Sequence, residues 1–116
     1  MTNTITLGGK LLSEPSVRSF EARKGKVEVV SLWMEVQGHG RRDRFKVDIF
    51  CPRQQQIAKA IPEGALVEVT GSLRHDRWRD LETKEYRGKI YVAIEPSEGT
   101  VRSKGMAEAA LDDVAA

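Results

Sequence analysis

Apolar and polar side chains alternate along most of this chain of 116 residues, the pattern of strands that turn one face to a core and the other to solvent. Ile5 and Leu7 alternate with Thr4 and Thr6, and the run reaches a glycine pair, Gly8-Gly9. Residues 9–19 are expected to continue this first strand past a bulge or bend, which paired glycines permit. After a charged turn at residues 21–26 (EARKGK), residues 26–36 (KVEVVSLWMEV) form the longest β-like stretch. The loop at residues 37–42 (QGHGRR) joins it as a hairpin to residues 44–51, where Phe45, Val47 and Ile49 alternate with Lys46, Asp48 and Phe50. The period then breaks. Pro52 suits the first position of a helix over residues 52–61, with Ile57, Ala58 and Ile61 as its apolar face, and Pro62 and Gly64 stop it. Strands resume at residues 65–74 and 85–95, the arms of a long hairpin whose tip is residues 80–84 (DLETK). Pro96 ends the pattern.

Three strands, one short helix and two more strands match an all-β, five-stranded Greek-key barrel of the OB-fold type. The helix falls between strands 3 and 4, and the long hairpin joins strands 4 and 5. Closure into a barrel removes most exposed edges. The length fits one domain. An OB-fold domain is expected at residues 1–96, followed at residues 97–116 by a short, mostly disordered tail with at best a frayed helix near residues 106–114.

Composition adds a hint about the partner. The chain is 40% hydrophobic and 31% charged, with a net charge of +2. Residues 1–96 carry 17 of the 19 Lys/Arg and 13 of the 17 Asp/Glu, so the body is at +4 and the tail at −2. A moderately basic body hints at a polyanion. One cysteine, Cys51, permits no disulfide within the chain and fits a reducing compartment. Between an apolar run and Pro52, it reads as a small hydrophobe. The first residues lack a charged segment followed by an apolar one, and no apolar stretch approaches the roughly 18 residues of a membrane span. A cytoplasmic protein without membrane contact is expected.

Enzyme signals are almost absent. There is no phosphate-cradling glycine loop and no nucleophile elbow. His39, His75 and Cys51 lie on unrelated segments and make no metal site. Asp48 is a single carboxylate with Lys46 two residues away on its own face, which an ion pair explains. No catalytic residue, metal or cofactor is expected. What remains is aromatic side chains among bases. With Val30, Leu32, Met34 and Val36 facing the core, Ser31, Trp33 and Glu35 face out. With Phe45, Val47 and Ile49 inward, Phe50 shares the outer face with Arg44, Lys46 and Asp48. On the hairpin, Trp78 is set among Arg74, Arg77 and Arg79, and Tyr86, Arg87 and Lys89 return along the partner strand. Single-stranded nucleic acid presents flat bases and a phosphate chain. A base stacked on a ring contributes about 1–3 kcal/mol whatever its identity, and arginine pairs with phosphate and also stacks. Trp33, Arg44, Lys46, Phe50, Arg74, Arg77, Trp78, Arg79, Tyr86, Arg87 and Lys89 are therefore the candidate nucleic-acid contacts. The plain alternative for the rings is packing against another subunit or on the stems of neighbouring arginines.

The segments quoted resemble the bacterial single-stranded DNA-binding protein family, across nearly all of residues 3–96. NTITLGGKLLSEPSVRSF resembles the family's opening strand with its acidic-Pro-x-x-Arg segment, here Glu14-Pro15-Ser16-Val17-Arg18. KVEVVSLWMEV resembles its second strand, and RFKVDIFC with the following helix its third. EGALVEVTGSLRHDRWRD, with Tyr86 on the return strand, is the sharpest match. The resemblance implies sequence-independent binding of single-stranded DNA in replication, recombination, repair or DNA transfer, by a homo-oligomer with one OB-fold per subunit, a tetramer ahead of a dimer. It places Trp78 on the family's hairpin stacking Trp and Phe50 on its third-strand stacking Phe. The family's other third-strand aromatic falls on Arg44. The tail, ending LDDVAA, departs from the family's long linker and acidic Pro-Phe tip, so recruitment of replication proteins through it is not implied. Two readings compete: an oligomeric OB-fold protein-interaction module, such as a primosome-type accessory protein, and an OB-fold nuclease, for which the clustered carboxylates are missing.

Overall fold

The computed structural model describes residues 1–106. Its elements are β1 (Ile5–Leu11), β2 (Ser16–Ala22), β3 (Gly25–Gly38), β4 (Arg41–Ile49), α1 (Pro52–Lys59), β5 (Ala65–Arg79), β6 (Tyr86–Ile94) and β7 (Thr100–Met106). Hydrogen bonding runs β1-β3-β4-β6-β5, and β5 pairs back onto β1, so five strands close on themselves. Every ladder in the ring is antiparallel except β4–β6, where Val47, Asp48 and Ile49 run parallel to Val92, Ala93 and Ile94. With α1 between the third and fourth strands of the ring, this is the OB-fold topology expected from the alternation.

The inward residues are the ones the period selects. Leu11, Val30, Leu32, Met34, Val47, Ile49, Val69, Val92 and Ile94 are fully buried, with Phe45 and Val36 packed partly covered beside them. Burying a side chain of this size contributes about 1.5–3 kcal/mol, so this cluster carries the stability of the domain. Closure also needs a close approach. β1 pairs with β5 through Lys10 and passes to β3 at Lys10 and Leu11. A Cβ at Gly9 would strike the backbone carbonyl of Glu35. Glycine is required there because no side chain fits between the two backbones.

Four features depart from the sequence expectation. The first strand is two elements, β1 and β2, interrupted at residues 12–15. β2 is not part of the ring; among the described residues it pairs only with β3, from Ser16↔Ser31 to Ala22↔Gly25, and forms a two-stranded ribbon with a turn of two residues, Arg23-Lys24. The helix turns Gln55 and Ala58 inward and leaves Ile57 exposed. Gln55 donates from Nε2 to the carbonyls of Glu28 and Ile49, both at 2.8 Å, so a bifunctional amide serves better than an aliphatic chain where strand ends leave carbonyls unpaired. Cys51 is the residue before the helix and is only partly buried.

The fourth departure is the end of the folded region. The chain continues past Pro96 into β7, which pairs with β5 from Thr70↔Thr100 to Ala65↔Met106. Val101 is buried and its backbone N–H donates to Gln54 Oε1 at 2.9 Å. The expected boundary at residue 96 missed this because, of residues 100–105, only Val101 is buried, and the backbone edge of β5 does the rest. Most of the helix expected near residues 106–114 lies outside the described residues.

Candidate nucleic-acid interface

Register decides which outward residues share a face. Trp33 lies opposite Lys46, Ser31 opposite Asp48 and Glu35 opposite Arg44 on the β3–β4 ladder. Asp48 neighbours Ala93 on β6, and Ala93 lies opposite Ser72 on β5. Alternation from these positions puts Tyr91, Lys89 and Arg87 of β6 on the same side as Arg74, Asp76 and Trp78 of β5. Phe50, one residue past Asp48 and Ile49, follows on that side, with its N–H bonded to the Ile94 carbonyl at 2.9 Å. Eight of the candidate contacts therefore share one face: Trp33, Arg44, Lys46, Phe50, Arg74, Trp78, Arg87 and Lys89.

Three candidates do not. Arg77, Arg79 and Tyr86 lie on the reverse side of the β5–β6 hairpin, with His75, Ile90 and Leu73. Neighbours on a strand point to opposite faces, so the arginines on either side of Trp78 cannot share its side. Arg77 instead stands over the Tyr86 ring, 5.6 Å from its centroid, and Arg79 donates from Nε to the Lys84 carbonyl.

The rings differ in cover. Trp33 is 46% exposed and Trp78 47%. Leaving a ring of that size half open forgoes about 2 kcal/mol of burial. Phe50 is partly covered. Tyr91, half-buried under Arg74 and Lys89, has the Lys89 ammonium 5.4 Å from its centroid. Burial, and then the neighbouring Asp76 carboxylate, push the Tyr91 phenol up. It stays neutral and hydrogen-bonding through the working pH range.

The polar centre of the face is not the solvated strip that alternation suggests. Ser31, Asp48 and Glu35 point outward yet are buried. Ser31 donates to Asp48 Oδ1 at 2.6 Å. Lys46 approaches the same oxygen at 3.7 Å, and Arg18 reaches it from β2 at 3.9 Å. The ribbon of β2 brings Arg18 there, a residue that its own strand's pattern gives no reason to single out. Other cations are matched in the same way. Arg44 faces Glu35 at 4.0 Å, Arg74 bonds Glu95 at 3.0 Å and Arg87 bonds Asp80 at 2.9 Å. These pairs are largely solvent-exposed on the cationic side, where such a contact is worth about 0–1 kcal/mol. Exchanging such a carboxylate for another anion costs little, and each carboxylate holds its arginine in place.

Asp80 also builds the tip of the hairpin. Its Oδ1 accepts from the backbone N–H groups of Glu82 and Thr83 at 2.8 and 3.2 Å, while Oδ2 takes Arg87. These donors, Thr83's first, hold its carboxyl below the ordinary value. A groove of about 270 Å³ adjoins this face at Glu35, floored by Gly8 and Gly9 between Lys10, Leu66 and Lys104, and no ring lines it. Among the described residues no three of His, Cys, Asp and Glu gather as a metal-binding cluster. Among the same residues no helix is long and apolar enough to cross a membrane.

No protein-family model matches the chain. It is 28% identical over 93 residues to a single-stranded DNA-binding protein of Thermosynechococcus vestitus, covering 80% of this chain and 78% of that one. It is 23% identical over 96 residues to single-stranded DNA-binding protein 1 of a Nostoc species, covering 83% and 81%. Among solved structures, a Plasmodium falciparum SSB in complex with ssDNA superposes with a TM-score of 0.74 at 16% identity, over 89% of this chain and 95% of that one. The mitochondrial single-stranded DNA-binding protein Rim1 of S. cerevisiae gives 0.70 at 11% identity, over 91% and 99%. The two structural likenesses speak for the fold.

Proposed function

We infer that the chain belongs to the bacterial single-stranded DNA-binding protein family and binds single-stranded DNA without regard to sequence. The observation that carries this is one sheet face on which Trp33 and Trp78 stand about half exposed, with Phe50, among Lys46, Arg44, Arg74, Lys89 and Arg87. Bases stack on the rings and phosphates meet the cations. Every base has a π-face, so the contact is indifferent to identity. The function is binding and protection of exposed strands during replication, recombination or repair, in the cytoplasm where the chromosome lies. The chain acts as a binder and not as an enzyme.

The binding set is the eight residues of this face. The reverse side of the hairpin, with Leu73, Ile90 and Tyr86 exposed, is assigned to contact between copies of the chain in a homo-oligomer. The test is a titration with poly(dT) at low salt. Tryptophan emission is expected to fall and to recover as salt is added, and light scattering on the same samples is expected to give a mass above that of one chain. Unchanged emission together with no retention of a labelled oligonucleotide in a gel would overturn the function and favour a protein-interaction module.

A further inference from the structure

The ribbon of β2 and β3 carries a ring that the face described above does not use. Phe20 is 51% exposed and lies opposite Val27. The β3 register is continuous, so Val27, Val29, Ser31 and Trp33 alternate onto one side and Phe20 joins the side of Trp33. The spacing from position 27 to position 33 is about 20 Å of strand.

The two sides of this ribbon differ in charge. On the reverse side the paired positions are Val17–Val30, Ser19–Glu28 and Glu21–Lys26. On the side of Phe20 they are Ser16–Ser31, Arg18–Val29, Phe20–Val27 and Ala22–Gly25. Both carboxylates of the ribbon face away from the ring. The one charge beside it is Arg18, which stands between Phe20 and the buried Asp48. Beyond the ring the chain turns through Arg23-Lys24. A half-open ring thus sits between a guanidinium and a basic turn, on a side to which the ribbon itself contributes no carboxylate, continuous with the face of Trp33.

We propose that Phe20 is a further stacking platform for single-stranded nucleic acid, with Arg18 and the Arg23-Lys24 turn as its phosphate contacts. The bound strand then leaves the barrel face and runs out along the β2–β3 ribbon. The inference rests on the function proposed above and extends its site.

A variant with Trp33→Phe, Trp78→Phe and Phe20→Trp has its sole indole at position 20. Poly(dT) at low salt is expected to quench that emission. Steady emission while a labelled oligonucleotide binds the same variant would overturn the proposal. Phe20→Ala in the otherwise unchanged chain supplies a second measurement, and an exposed position on a ribbon tolerates it. Its affinity for long oligothymidylate is expected to fall about tenfold, with a smaller change for an oligonucleotide short enough to be held by the barrel face alone. The mass by light scattering is expected to stay the same. Unaltered affinity, or a drop in mass with Phe20→Ala, assigns the ring to packing and overturns the proposal. Failure of the unmodified chain to bind any oligonucleotide is a different result; it removes the function itself and this extension with it.

Discussion

Single side chains on this protein are arranged to be useful when covered by something flat. Trp78 shows this most directly, because its cross-strand neighbour is Arg87 and its adjacent arginines point to the other side of the hairpin. Replacing it by alanine removes a stacking surface and no core contact. Trp78→Ala is expected to weaken oligothymidylate binding by about 1–3 kcal/mol while thermal midpoint and mass stay at their starting values. A variant that binds normally, or that falls to a smaller mass, would show that the ring packs against protein. The separation of Arg77 and Arg79 from Trp78 was available in the numbering, since adjacent strand positions alternate sides. The cluster RHDRWR drew attention to composition, and composition has no direction. Arg18 and Phe20 were harder to see. Their value comes from the partner strand that places them beside Asp48 and Trp33, and a single strand's pattern carries no such information.

At the scale of elements, the outward face was legible wherever its reverse was apolar. β3 and β4 declare their inner side through Val30, Leu32, Met34, Val47 and Ile49, so Trp33 and Lys46 had only one place to go. The β5–β6 hairpin makes no such declaration. From Leu73 to Ile90 nearly every residue is exposed on both sides, and hydrophobic contrast, the only signal for orientation, vanishes. Its order comes instead from the tip. Asp80 ties Glu82, Thr83 and Arg87 together, and Lys84 adopts a left-handed conformation at φ 61° to close the turn. Because the Asp80 carboxyl is held below its ordinary value of 3.8, its contribution is fully present above that value and is lost as pH falls through the depressed one. Amide protection at Glu82 and Thr83 is therefore expected to be flat with pH through the neutral range, after correction for intrinsic exchange, and to weaken only in acid. Asp80→Ala is expected to remove that protection at every pH; hydrogen exchange read by mass spectrometry or NMR checks both. Persistent protection in the variant would mean that the backbone bonds of the turn suffice.

On the scale of the whole molecule, the modest net charge of +2 and the matched pairs across the proposed binding face point the same way. If each of Arg18, Arg44, Lys46, Arg74, Arg87 and Lys89 met a phosphate, the logarithm of affinity would fall with the logarithm of salt with a slope of about −4. Asp48, Glu35, Glu95 and Asp80 already neutralise most of these cations. When a phosphate takes the cation, the displaced carboxylate gathers counterions from solution. A slope of about −2 or shallower is expected, with stacking carrying more of the affinity than charge. Titration with oligothymidylate at several salt concentrations measures it, and a slope near the full value would show that the acidic partners stay out of the way.

The parallel β4–β6 ladder, through which the ring closes, carries a consequence for how the protein is made. Val47, Asp48 and Ile49 wait for Val92, Ala93 and Ile94, which leave the ribosome only after the helix and the whole hairpin have been synthesised. Until then β4 shows an open edge next to a half-built apolar interior, the kind of surface on which nascent chains stick to one another. Rapid synthesis of the hairpin, or a chaperone that shields the edge meanwhile, is expected to raise the yield of folded chain.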